Sequence, residues 1–419
     1  MRQRKACIQC TRSKRKCDKT TPACKRCIER NDTCEYDSFP RRPALVDDNI
    51  TASTSPLDTQ PWDPSLPLSP TSLPGTYPSL LPDIPSFLLP SPDPSQLTTT
   101  IPPPASPPTW FLHPPTFTVQ HGVPPPPPFL PAGVGAAALP HFISTLQSWL
   151  LRWSTTLHSP FIHRHAFAHP LPTTNSTLPP AIQDALTTLI AYHAATPATK
   201  PTVLEILTDR AERLVAAAAV AVIPLDVRGH LARTLALLVY QVVTLFDGDV
   251  RARSMAEERG DVLVAWAAEM LERVKGECAG EGGGAGEDFV ATWEGGDGEA
   301  GWRAWVVVES VRRLFLMGNY VQSVYTTVKS GWSVCPGGLA FTAGEGLWEE
   351  MTGWRWRRRV EELHRGKGVL LVRSMEAYRV MMERESGEVD EFTRAVLEIG
   401  YGLEAVERWV REGKVAFQG

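Results

Sequence analysis

Between Pro43 and Leu151 the chain has no lysine and no arginine, and only two of its eight cysteines lie beyond residue 34. A stretch without cations cannot follow a phosphate backbone, and so few later thiols exclude a disulfide framework for the bulk of the protein. The apolar stretch from Leu235 to Phe246 falls short of the roughly 20 residues that span a bilayer, so no membrane partner is expected. The opening residues Met1-Arg2-Gln3-Arg4-Lys5 lack the apolar core and cleavage site of a secretory leader, which favours a reducing interior. There is no H-E-x-x-H pattern, no phosphate loop with its lysine, and no nucleophile signature around Cys278 or Cys335. No enzyme activity is therefore expected.

What is present divides the 419 residues into three chemically different pieces. Residues 1 to 34 hold 11 Lys/Arg against 3 Asp/Glu, a local +8, so the net charge of −4 leaves −12 for the remainder. The bulk charge thus conceals a basic head. Of 38 prolines, 28 lie between Pro40 and Pro140. That density removes backbone donors and forbids regular helix, so residues 39–137 are expected to form a disordered linker. Its only ionised residues from Ala44 onward are Asp47, Asp48, Asp58, Asp63, Asp83 and Asp93, some beside apolar groups as in Leu80 to Leu89. Such a segment suits either an activation arm that folds onto a coactivator or a plain spacer.

The head carries Cys7, Cys10, Cys17, Cys24, Cys27 and Cys34, spaced C-x2-C-x6-C-x6-C-x2-C-x6-C, so that the first three repeat as the last three. In a reducing compartment paired C-x2-C units favour zinc over disulfides. One tetrahedral ion would strand two sulfurs. Two ions need eight ligand bonds, which six sulfurs supply only if two are shared, and the internal repeat suggests the equivalent Cys7 and Cys24. So small a segment cannot bury enough apolar surface to fold unaided, and metal binding should supply its folding free energy.

Between Cys10 and Cys17 lies Thr11-Arg12-Ser13-Lys14-Arg15-Lys16, basic and free of helix breakers, which predicts a short helix running on from Cys10. The second spacer, with Asp18, Thr20, Thr21 and Pro22, reads as a loop. A cationic helix with a metal-fixed start suits the major groove, where Lys or Arg can donate to guanine, while flanking cations hold phosphates. Double-stranded DNA is the expected partner. The rival reading is a zinc-dependent protein-interaction module on a helical scaffold.

Across residues 5 to 36 the six cysteines, their spacing and Pro22 resemble the fungal binuclear zinc-cluster transcription factors. The resemblance implies a small domain of two short helices and loops over residues 1–38, with two zinc ions bridged by Cys7 and Cys24. It also implies CGG-like target triplets, a nuclear location and a transcription-regulating role. Family members read bases with the third and fourth residues after the second cysteine, here Ser13 and Lys14. That makes Lys14 the base-edge contact and Arg12, Arg15 and Lys16 phosphate contacts. Ser13 and Thr11 depart from the cations usual there. No heptad pattern follows the cluster, so dimerisation by a coiled coil is not expected and the oligomeric state stays open.

From about residue 138 apolar periodicity predicts an all-α domain, 138–419. Helices are expected at Ile143–Trp153, Ile182–Ala195, Val203–Val222, Val227–Phe246, Val262–Val274, Trp302–Tyr325 and Phe392–Val410, with a flexible glycine-rich acidic loop at 276–298. Pro160-Phe161-Ile162-His163-Arg164, the run Trp302 to Arg313 with Trp305, Glu309 and Arg312, and Leu347-Trp348-Glu349 resemble motifs of the regulatory, or middle homology, domain that accompanies such clusters. Glu309 reaches Arg312 and Arg313 at i+3 and i+4, pairs worth only about 0.3–0.5 kcal/mol if exposed, and its expected role is structural. The tryptophans should turn into the core. His158, His163, His165 and His169 lack an acidic companion and read as turn and packing residues.

Overall fold

A computed structural model describes residues 7, 10, 13, 16–18, 20, 24–30, 34, 110–121, 137–167, 178–279, 298–366 and 368–413. They fall into two units divided between Pro61 and Trp62. In the first, the described helix is α1, Lys25–Arg30. The helix expected over residues 11–16 lies mostly outside the described residues, although Cys10 is helical. Most of the expected linker and of the glycine-rich loop, and His169, also lie outside them.

The second unit is helical, and its helices form where apolar residues recur every three to four positions. Helix α2, Ala138–Thr156, turns Phe142, Leu146, Trp149 and Trp153 inward and stops where Leu157 adopts left-handed φ (58°). Helices α3 (Pro180–His193) and α4 (Lys200–Val220) follow, and both pack on α5 (Val227–Phe246). Asp226 caps α5, its carboxylate accepting from the Gly229 N–H at 2.7 Å. Helix α5 is long and apolar enough to cross a membrane, yet every residue from Leu235 to Leu245 is buried in the core. A short α6 (Val250–Glu257) leads into α7 (Gly260–Cys278), which packs on α5 and on α8, Gly298–Ser330. At 33 residues α8 runs about 50 Å.

After α8 come strand β1 (Ala340–Thr342), helix α9 (Gly353–Arg365), strand β2 (Leu371–Arg373) and helix α10 (Tyr378–Glu383). The strands pair antiparallel, with Ala340 opposite Arg373 and Thr342 opposite Leu371. Helices α11 (Glu391–Tyr401) and α12 (Leu403–Glu412) replace the single helix expected over Phe392–Val410. Gly402 separates them with φ of 88°, a conformation that ends α11 and re-aims the chain.

Two expectations are corrected by packing. Residues 110–121, assigned by composition to the disordered linker, form two 3-10 turns, Trp110–Leu112 and Pro114–Phe117, that bury Trp110, Phe111 and Phe117 in the helical core. Arg312 holds them by donating to the Phe111 carbonyl and the Thr116 hydroxyl, and Gln120 bridges to Gly338. The helical unit therefore takes in part of the 39–137 segment. Gly276 and Cys278, placed in the flexible loop, close α7, because Glu277 pairs with Arg273 at 3.0 Å and Cys278 packs against the core. Burial raises the Cys278 thiol pKa to about 12, which removes its nucleophilic character.

Glu309, Arg312 and Arg313, expected to be structural, are buried in the core. Glu309 lies 3.1 Å from Arg313 and 3.6 Å from Arg312, and accepts from the Thr342 N–H at 2.8 Å, fastening β1 to α8. Arg313 also donates to Asp390 at 2.6 Å and to the carbonyls of Pro160 and Thr342 at 2.7 Å. Its guanidinium sits 4.1 Å from the Trp348 ring centre and 4.9 Å from that of Phe392. Burial alone would lower the Arg313 pKa, but Asp390 and Glu309 outweigh it and hold the pKa above its ordinary value. Trp302 and Trp305 do turn into the core; His163 packs edge-on against both Trp302 and Trp348, while His158 lies tilted against Trp348 and His165 against Trp302.

Removing one member of this network strands its buried partners. Arg313→Met should lower the unfolding free energy of the helical unit by about 3–5 kcal/mol. Glu309→Gln combined with it should cost clearly less than the sum of the two single changes. Urea unfolding followed by tryptophan fluorescence measures both; additive losses would show that the ion pairs do not act as a unit.

Candidate metal centre

The head is built around sulfur. Cys7, Cys10, Cys24 and Cys27 are buried, while Cys17 and Cys34 are partly exposed. Their Sγ atoms fall into two groups of four, Cys7/Cys10/Cys17/Cys24 and Cys7/Cys24/Cys27/Cys34, each within 4.8 Å of one another. Cys7 and Cys24 belong to both. None of the six is disulfide-bonded, and the Sγ–Sγ separations of Cys7–Cys24, Cys7–Cys27 and Cys10–Cys24 are 3.7, 3.8 and 3.7 Å. A tetrahedron with metal–sulfur bonds of about 2.3 Å has edges of about 3.8 Å, so these sulfurs already stand at the corners that zinc requires. An all-sulfur tetrahedral donor set also selects zinc over calcium or magnesium, which take oxygen ligands.

Local structure explains how so short a segment places them. Helix α1 begins one residue after Cys24, and its single buried residue is Cys27, so the C-x2-C spacing is met by one helical turn. Asp18 latches the inter-repeat loop to the start of that helix. Its carboxylate oxygens accept from the Lys25 N–H at 3.2 and 3.3 Å and from the Thr20 hydroxyl at 2.8 Å, and the Thr20 bond is the main reason its pKa is lowered. Backbone amides also point at sulfur, with Cys10 N–H donating to Cys7 Sγ at 3.5 Å and Cys24 N–H to Cys34 Sγ at 3.2 Å. Such bonds orient and stabilise thiolates. The sequence reading missed the Asp18 latch. An Asp ahead of Thr20 and a helix start is the signal of such a turn, and it was absorbed into the general assignment of a loop.

The electrostatics show what a cation adds. The Cys10 N–H lowers the Cys7 pKa to about 6, whereas burial and neighbouring sulfurs raise Cys10 to about 12. Crowded sulfurs cannot all ionise on their own account, and a bound dication makes the four around it ionise together. Of the candidate DNA contacts, Ser13 and Lys16 are exposed, as is Lys25 on α1, and the Ser13 hydroxyl donates to the Cys10 carbonyl at 3.4 Å. Arg12, Lys14 and Arg15 lie outside the described residues.

Substituting serine for either doubly shared cysteine removes a ligand from both groups of four, whereas replacing Cys17 or Cys34 removes one from a single group. Cys7→Ser and Cys24→Ser should therefore lower zinc content per chain more than Cys17→Ser or Cys34→Ser does, as read by elemental analysis of the purified protein. Equal losses from all four would contradict the sharing.

Comparison with known proteins agrees with this geometry. The profile of the fungal Zn(2)-Cys(6) binuclear cluster domain matches residues 5–43. Over 380 residues the chain is 29% identical to "Transcription factor gsfR2" of Penicillium aethiopicum, covering 86% of this chain and 85% of that protein, so the similarity extends well into the helical unit. No solved structure matches. The head of this chain is a fungal Zn(2)-Cys(6) binuclear cluster domain, a two-zinc module, joined to a mostly helical C-terminal region.

Proposed function

We propose that the chain is a zinc-dependent, sequence-specific regulator of transcription that acts in the nucleus, its cluster reading CGG-like triplets in duplex DNA. The observation that carries this reading is the pair of four-sulfur groups sharing Cys7 and Cys24 at tetrahedral spacing, within a segment of +8 charge. In it Cys7 and Cys24 bridge two zinc ions, Cys10 and Cys17 complete one shell, and Cys27 and Cys34 complete the other. The metals are structural. With six thiolates the cluster carries −2, which the surrounding lysines and arginines offset.

In this reading the residues after Cys10 enter the major groove. Lys14 donates to guanine O6 and N7, and Arg12, Arg15 and Lys16 hold phosphates, with Ser13 beside them. Support for a regulator, as distinct from an isolated DNA-binding module, comes from the helical region and from the relative of similar length named a transcription factor. The helical region then serves regulation, and the proline-rich segment links the two.

Selection from a random duplex library should enrich CGG-containing sites. Lys14→Ala should narrow the affinity gap between the selected site and a scrambled duplex by about 1–3 kcal/mol, whereas Arg15→Ala should weaken both alike and make log K less steep against log salt by about one. Equal effects of the two changes on both duplexes would show the assignment of base and phosphate contacts to be wrong.

A further inference from the structure

The first seven residues of α9, Gly353 to Arg359, read Gly-Trp-Arg-Trp-Arg-Arg-Arg, with four arginines and no acid. Gly353, Trp356 and Val360 are buried where α9 packs on α8, which turns the opposite face to solvent. On that face stand Trp354, 68% exposed, and the exposed Arg355 and Arg358, with the Arg358 guanidinium 5.8 Å from the Trp354 ring centre. Arg358 and Arg359 share Glu362, at 3.0 and 3.6 Å. Among the described residues no carboxylate pairs with Arg355 or Arg357.

Position makes these cations unusual. The N-terminal end of a helix carries partial positive charge and favours anions, so arginines in the first turns of α9 sit at the wrong end. The anion preference of that end is visible in the structure, since Glu299 accepts the Gly353 N–H at 2.8 Å. Unpaired guanidiniums at a positive helix end, beside an exposed indole, are relieved by a ligand that brings both negative charge and apolar surface. Duplex DNA brings only the first.

We propose that the Trp354–Arg355–Arg358 face of α9 docks an acidic, apolar-bearing peptide segment of a partner protein, its carboxylates on Arg355, Arg357 and Arg358 and its apolar side chain on Trp354. This site belongs to the helical unit and does not depend on how the head reads DNA.

The probe is a fluorescein-labelled 12-residue peptide, Asp-Phe-Asp-Leu repeated three times, titrated with the full zinc-loaded chain. Excess 20-bp duplex is present to occupy the basic head, and binding is read as anisotropy. Saturable binding is expected. It should weaken about tenfold in the Trp354→Ala/Arg355→Glu variant, and it should fall with added salt. The same peptide with Asn for Asp should not bind. Arg408→Glu and Arg411→Glu, on exposed α12 cations, should leave affinity unchanged. Arg355→Glu alone, at an exposed side chain, gives a second reading should the double variant prove unstable.

The proposal is overturned if the peptide does not bind, or if its affinity is indifferent to the α9 changes. It is also overturned if the α12 changes reduce binding as much. Loss of duplex affinity in the α9 variants, with displacement of the peptide by duplex, would assign the face to nucleic acid instead. Binding that appears only after Glu281, Glu287, Asp288, Glu294 and Asp297 are neutralised would give the face to the chain's own acidic segment, and would equally overturn a partner protein as occupant.

Discussion

Six sulfurs cannot give two tetrahedral ions separate shells, and that shortage shapes the whole head. Cys7 and Cys24 belong to both groups of four, so they would be ligands to both metals and would tie the two C-x2-C-x6-C repeats into a single body. No apolar core of ordinary size is needed, since metal–thiolate bonds take its place. Everything that follows them inherits their position: the helical Cys10, α1 after Cys24, and the exposed Lys16 and Lys25. The Asp18 latch and the two N–H···S bonds are the protein's part in holding that geometry.

The helical unit solves a different problem with related means. A 33-residue helix placing two arginines and a glutamate side by side in the core would be unstable if any of them lacked partners. The chain brings partners from far away in sequence: Asp390 at the start of α11, Thr342 in β1, the Pro160 carbonyl, and the turns at 110–117. Arg313 thereby joins α8 to α11 and β1, and Arg312 joins it to the turns at 110–117 within the proline-rich stretch. One turn of α8 organises the later half of the unit. Regulation by this region, on the reading proposed for the chain, would act through a body whose centre is polar and tightly specified.

The metal centre was legible because coordination chemistry acts over short spacings: C-x2-C pairs, an exact repeat and a ligand count are all local facts. The positions of most helices were legible for the same reason, as was the inward turn of Trp302 and Trp305. What escaped was decided at long range. Spacing places Glu309 opposite Arg313 on a helix, yet it cannot tell solvent from core, and Asp390 lies 77 positions on. Composition made residues 110–121 look like linker because Pro114 and Pro115 continue the proline-rich run. A proline pair can equally open a 3-10 turn, and what settles the matter is Arg312, nearly 200 residues later. The break at Gly402 was hidden because apolar residues continue in helical spacing through Val406 and Trp409.

The sharing of sulfur can be observed directly. With cadmium-113 in place of zinc, proton–cadmium correlation spectra report which cysteine methylene protons couple to which metal. Two cadmium signals are expected, with Cys7 and Cys24 coupled to both, Cys10 and Cys17 to one only, and Cys27 and Cys34 to the other. A single cadmium signal, or six cysteines each coupled to one metal, would contradict the account.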